Sequence, residues 1–406
     1  MFRSHLSDIF PLNTTTRPAH ILPIIIFSQF TGTSLWFAGN AIILDLQQDW
    51  GLAEQSLGHV TSAIQLGFIC GTLLFALLVI ADRFSPRLVF FYCSLAGALA
   101  NIAILVVPQQ LAWLLILRFA TGFFLAGIYP VGMKIAAGWY AQGLGRALGY
   151  LVGALVLGTA FPHLVRSSGA DFPWQQVMLV VSALALVGGF VMLMMVPDGP
   201  HLPKGSVFYP DALKIIFRSR RFRASAFGYF GHMWELYTLW AFVPLLLLTY
   251  SNNNNIALSV PLWSFLVIAS GFFGSAVGGI VSARLGSARV AAVQLAISGT
   301  CCLLSPLLFN SSPPVFLGFL LLWGITVVGD SPQFSALNAE NAPREYVGSA
   351  LTIVNSIGFL VTIFSIQLAS TMLTRISPQY IFLLLVPGPI IGLWMLRPLL
   401  VGKRVA

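Results

Sequence analysis

The chain has 406 residues, of which 57% are hydrophobic and only 8% charged, and its mean hydropathy is +0.87. Water-soluble domains carry about 25% charged residues, so a soluble enzyme or binding module is excluded. The net charge of +9 does not point to nucleic acid, because the basic residues sit in the short connections between apolar runs.

Apolar runs of about 20 residues, the length that crosses a bilayer core, recur along the whole chain. Twelve spans are expected, at 20–44, 57–80, 88–108, 111–136, 147–165, 177–196, 224–250, 261–283, 289–309, 315–337, 348–372 and 380–400. The fold class that follows is an all-α polytopic membrane protein, since a β-barrel would show short alternating segments instead. Pro86, Pro108, Pro173, Pro197, Pro261, Pro313, Pro314 and Pro378 punctuate the runs. The first run is a full span in length and is expected to stay as an anchor rather than be cleaved. Cys70, Cys93, Cys301 and Cys302 lie inside apolar runs without C-x-x-C spacing, and read as inert packing thiols.

Lysine and arginine set the orientation. With the N-terminus in the cytoplasm, the inner segments hold Arg3, Arg17, Arg83, Arg87, Arg146, Lys204, Lys214, Arg218, Arg220, Arg221, Arg223, Arg284, Arg289, Arg344, Arg397, Lys403 and Arg404. The outer loops hold only Arg166 and Arg375, so both termini are expected inside. The loop after span 1 is acidic, with Asp45, Asp49 and Glu54. Three segments follow: an N-terminal six-helix bundle (1–196), a cytoplasmic central loop (197–223) and a C-terminal six-helix bundle (224–406). The central loop carries the basic run IFRSRRFR, which reads either as an amphipathic helix on the inner leaflet or as a solvated linker.

The two halves repeat at an offset of about 201–204 residues. Ala81 to Arg87 after span 2 parallels Ala283 to Arg289 after span 8. Thr33-Ser34-Leu35-Trp36 parallels Tyr237-Thr238-Leu239-Trp240, Gly145 to Leu148 parallels Gly348 to Leu351, and Pro130 parallels Pro332. An internal 6+6 duplication is typical of secondary transporters.

With twelve spans, a 6+6 repeat and a long central loop, the chain resembles the major facilitator superfamily over essentially its full length. The superfamily's loop motif after span 2, roughly G-x-x-x-D-R-x-G-R-R, is matched by Asp82, Arg83 and Arg87. The second copy keeps Arg284 and Arg289. The resemblance implies that these five residues latch the cytoplasmic helix ends. Arg118 with Gly122 matches the family's span-4 motif R-x-x-x-G, associated with proton coupling. It also implies that spans 1, 4, 7 and 10 line a central cavity and that the protein is a monomer without a cofactor. Two subfamilies fit poorly: the span-5 drug-antiporter motif is present only in part, as Gly149, Gly158 and Pro162, and spans 2 and 8 carry no arginine of the nitrate-transporter kind.

Helical spacing can be set beside that implication. In span 1, Gln29, Thr33, Trp36 and Asn40 share a face; in span 4, Arg118, Gly122, Leu125 and Tyr129 do. Span 7 offers His232 and Glu235, flanked by Tyr229 and Thr238, and span 10 offers Trp323, Thr326, Asp330 and Gln333. Glu235 and Asp330 are the only carboxylates deep inside any span. An arginine at mid-membrane costs at least about 2.5–3.5 kcal/mol on insertion scales, so Arg118 invites a functional reading beside that of a staple bonded to backbone carbonyls. Lys134 lies on a different face near the cytoplasmic end and is expected to snorkel. His232 and Glu235 supply too few ligands for a metal, and no H-E-x-x-H, nucleophile–base pair or filter loop appears.

These readings make the chain a transporter of a small polar or zwitterionic organic solute across an inner or plasma membrane, not an enzyme. Arg118, Glu235 and Asp330 are the proton-coupling candidates. The alternative is a proton-driven efflux pump for amphipathic compounds.

Overall fold

The structure, a computed structural model, describes residues 18–140, 144–169, 172–202, 209 and 211–401. Arg3, Arg17, Lys204, Lys403 and Arg404 of the inner basic set lie outside them. Among the described residues, eleven helices are long and apolar enough to cross a membrane, and a shorter apolar helix, Ile21–Thr33, supplies the remaining span. Proline opens several of them: Pro86, Pro261, Pro313 and Pro378 stand in the first turn of spans 3, 8, 10 and 12. There the missing N–H is no loss and the fixed φ favours the helix.

Among the described residues, spans 1, 4 and 10 are interrupted, and span 12 opens as a 3-10 segment, Pro378–Leu385, ahead of its α-helix Pro387–Leu400. Span 1 runs Ile21–Thr33, unwinds, and resumes as Ala38–Ala41 and Ile43–Asp49. Thr31, Thr33 and Ser34 turn their hydroxyls onto carbonyls three and four residues back, a bond that bends helices. Span 4 splits into Leu111–Leu125 and Tyr129–Trp139 ahead of Pro130, and span 10 into Pro313–Gly329 and Ser331–Asn341 ahead of Pro332. The two proline breaks occupy equivalent places in the repeat, because a proline cannot donate to the preceding turn.

The repeat is visible in packing. Span 2 (Ser56–Leu77) runs along span 4, as span 8 (Val260–Leu285) runs along span 10. At Gly122 an added Cβ would meet the Ile64 carbonyl oxygen at 2.0 Å, and at Gly324 the Val267 carbonyl oxygen at 2.0 Å. Glycine at both places lets two backbones touch, and both pairs fall at the offset seen in the sequence. Spans 1 and 6 pack like spans 7 and 12. Between the halves, span 5 (Leu144–Arg166) lies on span 8 and span 2 on span 11 (Val347–Met372).

The central connection departs from the amphipathic-helix reading. Among the described residues of the connection, Ala212–Ile216 is the helical stretch before span 7, and Ala212 and Ile216 are buried. Arg220 to Arg223 begin span 7 itself (Arg220–Asn253), capped by Ser219 Oγ, which accepts from Phe222 N. At 34 residues that helix is about 51 Å long, so its basic first turn extends past the apolar zone.

Candidate functional site

An aromatic partition fills the middle of the molecule where the halves meet. Trp36 stacks on Tyr237 (centroids 5.9 Å) and on Phe359 (5.6 Å). Phe68 closes against both Trp36 (4.8 Å) and Phe359 (4.6 Å), while Phe37 meets Trp240 edge-on at 6.0 Å. Tyr129 stands edge-on to Trp36 at 6.4 Å. Spans 1, 2 and 4 of one half thus interlock with spans 7 and 11 of the other. Phe68 in span 2 and Phe359 in span 11 were not singled out in the sequence, because a phenylalanine in an apolar run looks like any other.

Cavities lie toward opposite ends. At the end bearing the acidic span 1–2 loop, a cavity of ≈ 450 Å³ is lined by Asn40, Gln47, Glu54 and His163 with Leu245 and Leu248. Toward the basic end, a cavity of ≈ 250 Å³ is lined by Thr72, Phe75, Asp82, Lys134 and Ser349. No residue lines both.

Arg118 is fully buried, inside the first half. Its Nη1 donates to Asn101 Oδ1 (2.8 Å), and its Nη2 donates to the carbonyls of Leu35 (2.9 Å) and Trp36 (2.7 Å). Asn101 Nδ2 in turn donates to Ser182 Oγ at 3.0 Å. Unwinding span 1 frees backbone carbonyls that have no water to turn to, and a guanidinium fork supplies the missing donors. Arg118 therefore links spans 1, 3, 4 and 6, an arrangement matching the staple weighed in the sequence.

The other span-1 residues diverge. Gln29 is buried against Gly132 of span 4. Thr33 packs at Gly158 of span 5 with its hydroxyl on the Gln29 carbonyl. Trp36 enters the partition. Asn40 Nδ2 donates to Thr61 Oγ1 (2.7 Å) while the residue lines the larger cavity. The break in the helix explains the spread, since residues on either side of an unwound turn no longer share a face.

In the second half, Glu235 is fully buried and accepts from Trp323 Nε1 (2.7 Å) and Ser298 Oγ (3.0 Å). Among the described residues no ion pair reaches it. Asp330, at the break in span 10, has Oδ1 2.8 Å from His232 Nδ1 of span 7, with both side chains buried. Tyr229 donates to Asn355 of span 11, and Thr238 shares a bond with Ser365. Thr326 is tied to carbonyls in its own helix, and Gln333 is buried.

At the basic end Asp82 forms an ion pair with Lys134, so Lys134 faces the smaller cavity near the helix ends. Ser85 Oγ donates to Asp198 at 2.9 Å, and Arg87 reaches the Leu193 carbonyl at 3.5 Å. The loop from Asp82 to Arg87 thus contacts spans 4 and 6 of its own half. Arg83, Arg284 and Arg289 lie at the same end.

The architecture defined by these elements is that of an integral membrane protein made of two six-helix repeats around a closed centre. A profile of the Major Facilitator Superfamily matches residues 24–366, and the chain belongs to that family of transporters. Its fold is similar to solved structures of a bacterial homologue of the human lysosomal transporter Spinster. The inward-facing, unoccupied form gives a TM-score of 0.70 at 13% identity over 96% of each chain. The inward-facing, occupied form gives 0.67 at 13% identity over 94% of each. A search of curated protein sequences gives no match.

Proposed function

We propose that this chain is a proton-coupled secondary transporter of a small organic solute, working by alternating access with the aromatic partition as its central barrier. The observation that carries this reading is the partition itself, closed between two cavities that lie toward opposite ends and share no lining residue. Rocking of two repeats about such a centre is how the fold moves a solute. The lysine and arginine distribution favours a plasma or inner membrane with the basic end, and both termini, in the cytoplasm. The units would be the bundles 1–196 and 224–406, joined by the connection 197–223, in a monomer.

Proton coupling fits the second half better than Arg118, whose donors are already committed to span 1. Asp330 sits at the hinge of span 10, at the start of the helix Ser331–Asn341 and against His232. An anionic Asp330 would be drawn to the helix N-terminus and to the N–H of the His232 imidazole beside it. Protonating the carboxyl removes that attraction and frees the hinge. Glu235 has only neutral donors around it, and a buried acid without a cation is retained most cheaply in its neutral form.

The test is uptake into liposomes driven by a pH gradient. Asp330→Asn is expected to abolish gradient-driven uptake while leaving exchange of solute across the membrane intact. Glu235→Gln mimics the neutral acid, accepting from Trp323 and donating to Ser298, and is expected to transport within about threefold of the parent chain, a difference under 1 kcal/mol. Gradient-driven uptake that survives Asp330→Asn would overturn this coupling site. An efflux role for amphipathic compounds is the second reading, supported by the mixed apolar and polar lining of the larger cavity.

A further inference from the structure

The larger cavity has a chemistry of its own. Asn40 and His163 both line it and are almost wholly buried, at 4% and 2% exposure. Asn40 Oδ1 and His163 Nε2 have no hydrogen-bond partner among the described residues. Buried polar atoms in folded proteins are nearly always paired, so two unpaired ones on residues that line one cavity call for a ligand or ordered water. Among the described residues, Glu54 is the only acidic one lining the cavity, and no lysine or arginine lines it. Arg166, in the last turn of span 5, is committed to a two-pronged pair with Asp45 at 3.0 and 2.8 Å.

The remaining walls are apolar: Leu57, Pro244, Leu245 and Leu248 among them. An amide oxygen accepts, and an imidazole Nε2 accepts when the proton sits on Nδ1. Two acceptors, one carboxylate and no lysine or arginine among the described lining residues together suit a donor-rich positive head on an apolar body. A carboxylate or phosphate would meet acceptors and Glu54 with nothing to neutralise it.

We propose that this cavity is a binding site for organic ammonium compounds: a primary or secondary amine, protonated, hydrogen-bonded to Asn40 and His163, with its apolar body against Leu57, Pro244 and Leu248. The assignment rests on the transporter reading only in making this cavity the loading side; binding itself requires no transport. It narrows the small polar or zwitterionic solute expected from the sequence to a cation, because the buried Arg118 is engaged within its own half.

The experiment is titration calorimetry on the purified full chain, without a gradient, using three probes of one skeleton: naphthylethylammonium, naphthylethanol and naphthylacetate. The ammonium is expected to bind saturably and at least about tenfold more tightly than the alcohol, with no binding of the acetate, since each tenfold reflects one good polar contact. His163→Leu and Asn40→Leu are each expected to weaken the ammonium about tenfold, and Glu54→Gln about threefold with loss of salt dependence. Asn40→Leu also removes the contact to Thr61, so a second variant guards against misfolding. Leu248→Trp fills the cavity from its half-exposed apolar wall and is expected to abolish binding. Equal affinity for all three probes, preference for the acetate, or full binding in Leu248→Trp would each overturn the site. Binding with no gradient-driven uptake would instead overturn the transport reading and leave the site standing.

Discussion

Removing the Arg118 guanidinium would leave Leu35 O, Trp36 O and Asn101 Oδ1 without their donors inside a dry helix bundle. Each orphaned buried acceptor costs about 1–3 kcal/mol. Arg118→Met is therefore expected to lower the thermal unfolding midpoint of the purified protein sharply. Arg118→Lys, a single ammonium in place of a fork that serves three acceptors, should recover only part of the loss. Asn101→Ala should cost less than either, because the fork keeps both carbonyls. An unchanged midpoint in Arg118→Met would mean that water takes the place of the fork. The sequence makes Arg118 conspicuous because charge is rare in an apolar run, yet it conceals what the charge answers. Its partners are two backbone carbonyls, which leave no trace in side-chain identity, and Asn101, whose place on span 3 had no reason to stand out. Glu235 and Asp330 were legible as buried acids for the same reason as Arg118. That one would find only neutral donors and the other a histidine depends on spans 9 and 10 arriving alongside span 7.

Among the elements, the breaks are what the periodicity reading handles worst. Span 1 looks like a continuous apolar run, and its four candidate residues fall on one face only if the helix stays wound through Ser34 to Phe37. It does not, so Gln29 and Thr33 turn toward spans 4 and 5 while Trp36 and Asn40 turn toward the centre. Pro130 and Pro332 stand out in the sequence as an equivalent pair, and the fold shows a break ahead of each. Gly122 stands out in the sequence only beside Arg118, and that it meets span 2 is seen in the fold alone. That contact carries a prediction. A Cβ at Gly122 would sit 2.0 Å from the Ile64 carbonyl oxygen, and a backbone atom cannot swing aside as a side chain can. Gly122→Ala is expected to force the helices apart at a cost of about 1–3 kcal/mol, as is Gly324→Ala at the equivalent place in the other half. Equal losses of thermal stability in both variants would support a repeat in energetics as well as in geometry. A loss in one alone would show that only one pair of helices depends on this approach.

For the whole molecule, alternating access requires contacts that exist in one state and are broken in another. Spans 2 and 11 supply such a set near the acidic end. Gln367 Nε2 donates to the Gly58 carbonyl (3.0 Å) and to Ser62 Oγ (2.7 Å), and Ser370 Oγ donates to the Gln55 carbonyl (3.3 Å). These bonds tie one half to the other. Net hydrogen bonds contribute about 0.5–1.5 kcal/mol each, so losing the two from Gln367 should shift the balance between states by roughly tenfold. Gln367→Ala is therefore expected to populate arrangements in which this end is wider. Spin labels at Ala53→Cys and Thr374→Cys, both exposed loop positions at that end, report the change once the exposed native Cys70 is replaced. The distance distribution should gain a longer component in Gln367→Ala, and the ammonium probe should shift it back if it binds the narrow state more tightly. A distribution that ignores Gln367→Ala would mean that the aromatic partition, not the span 2–11 ties, sets the balance. Trp36→Ala, which removes the ring stacked on both Tyr237 and Phe359, should then produce the longer component instead.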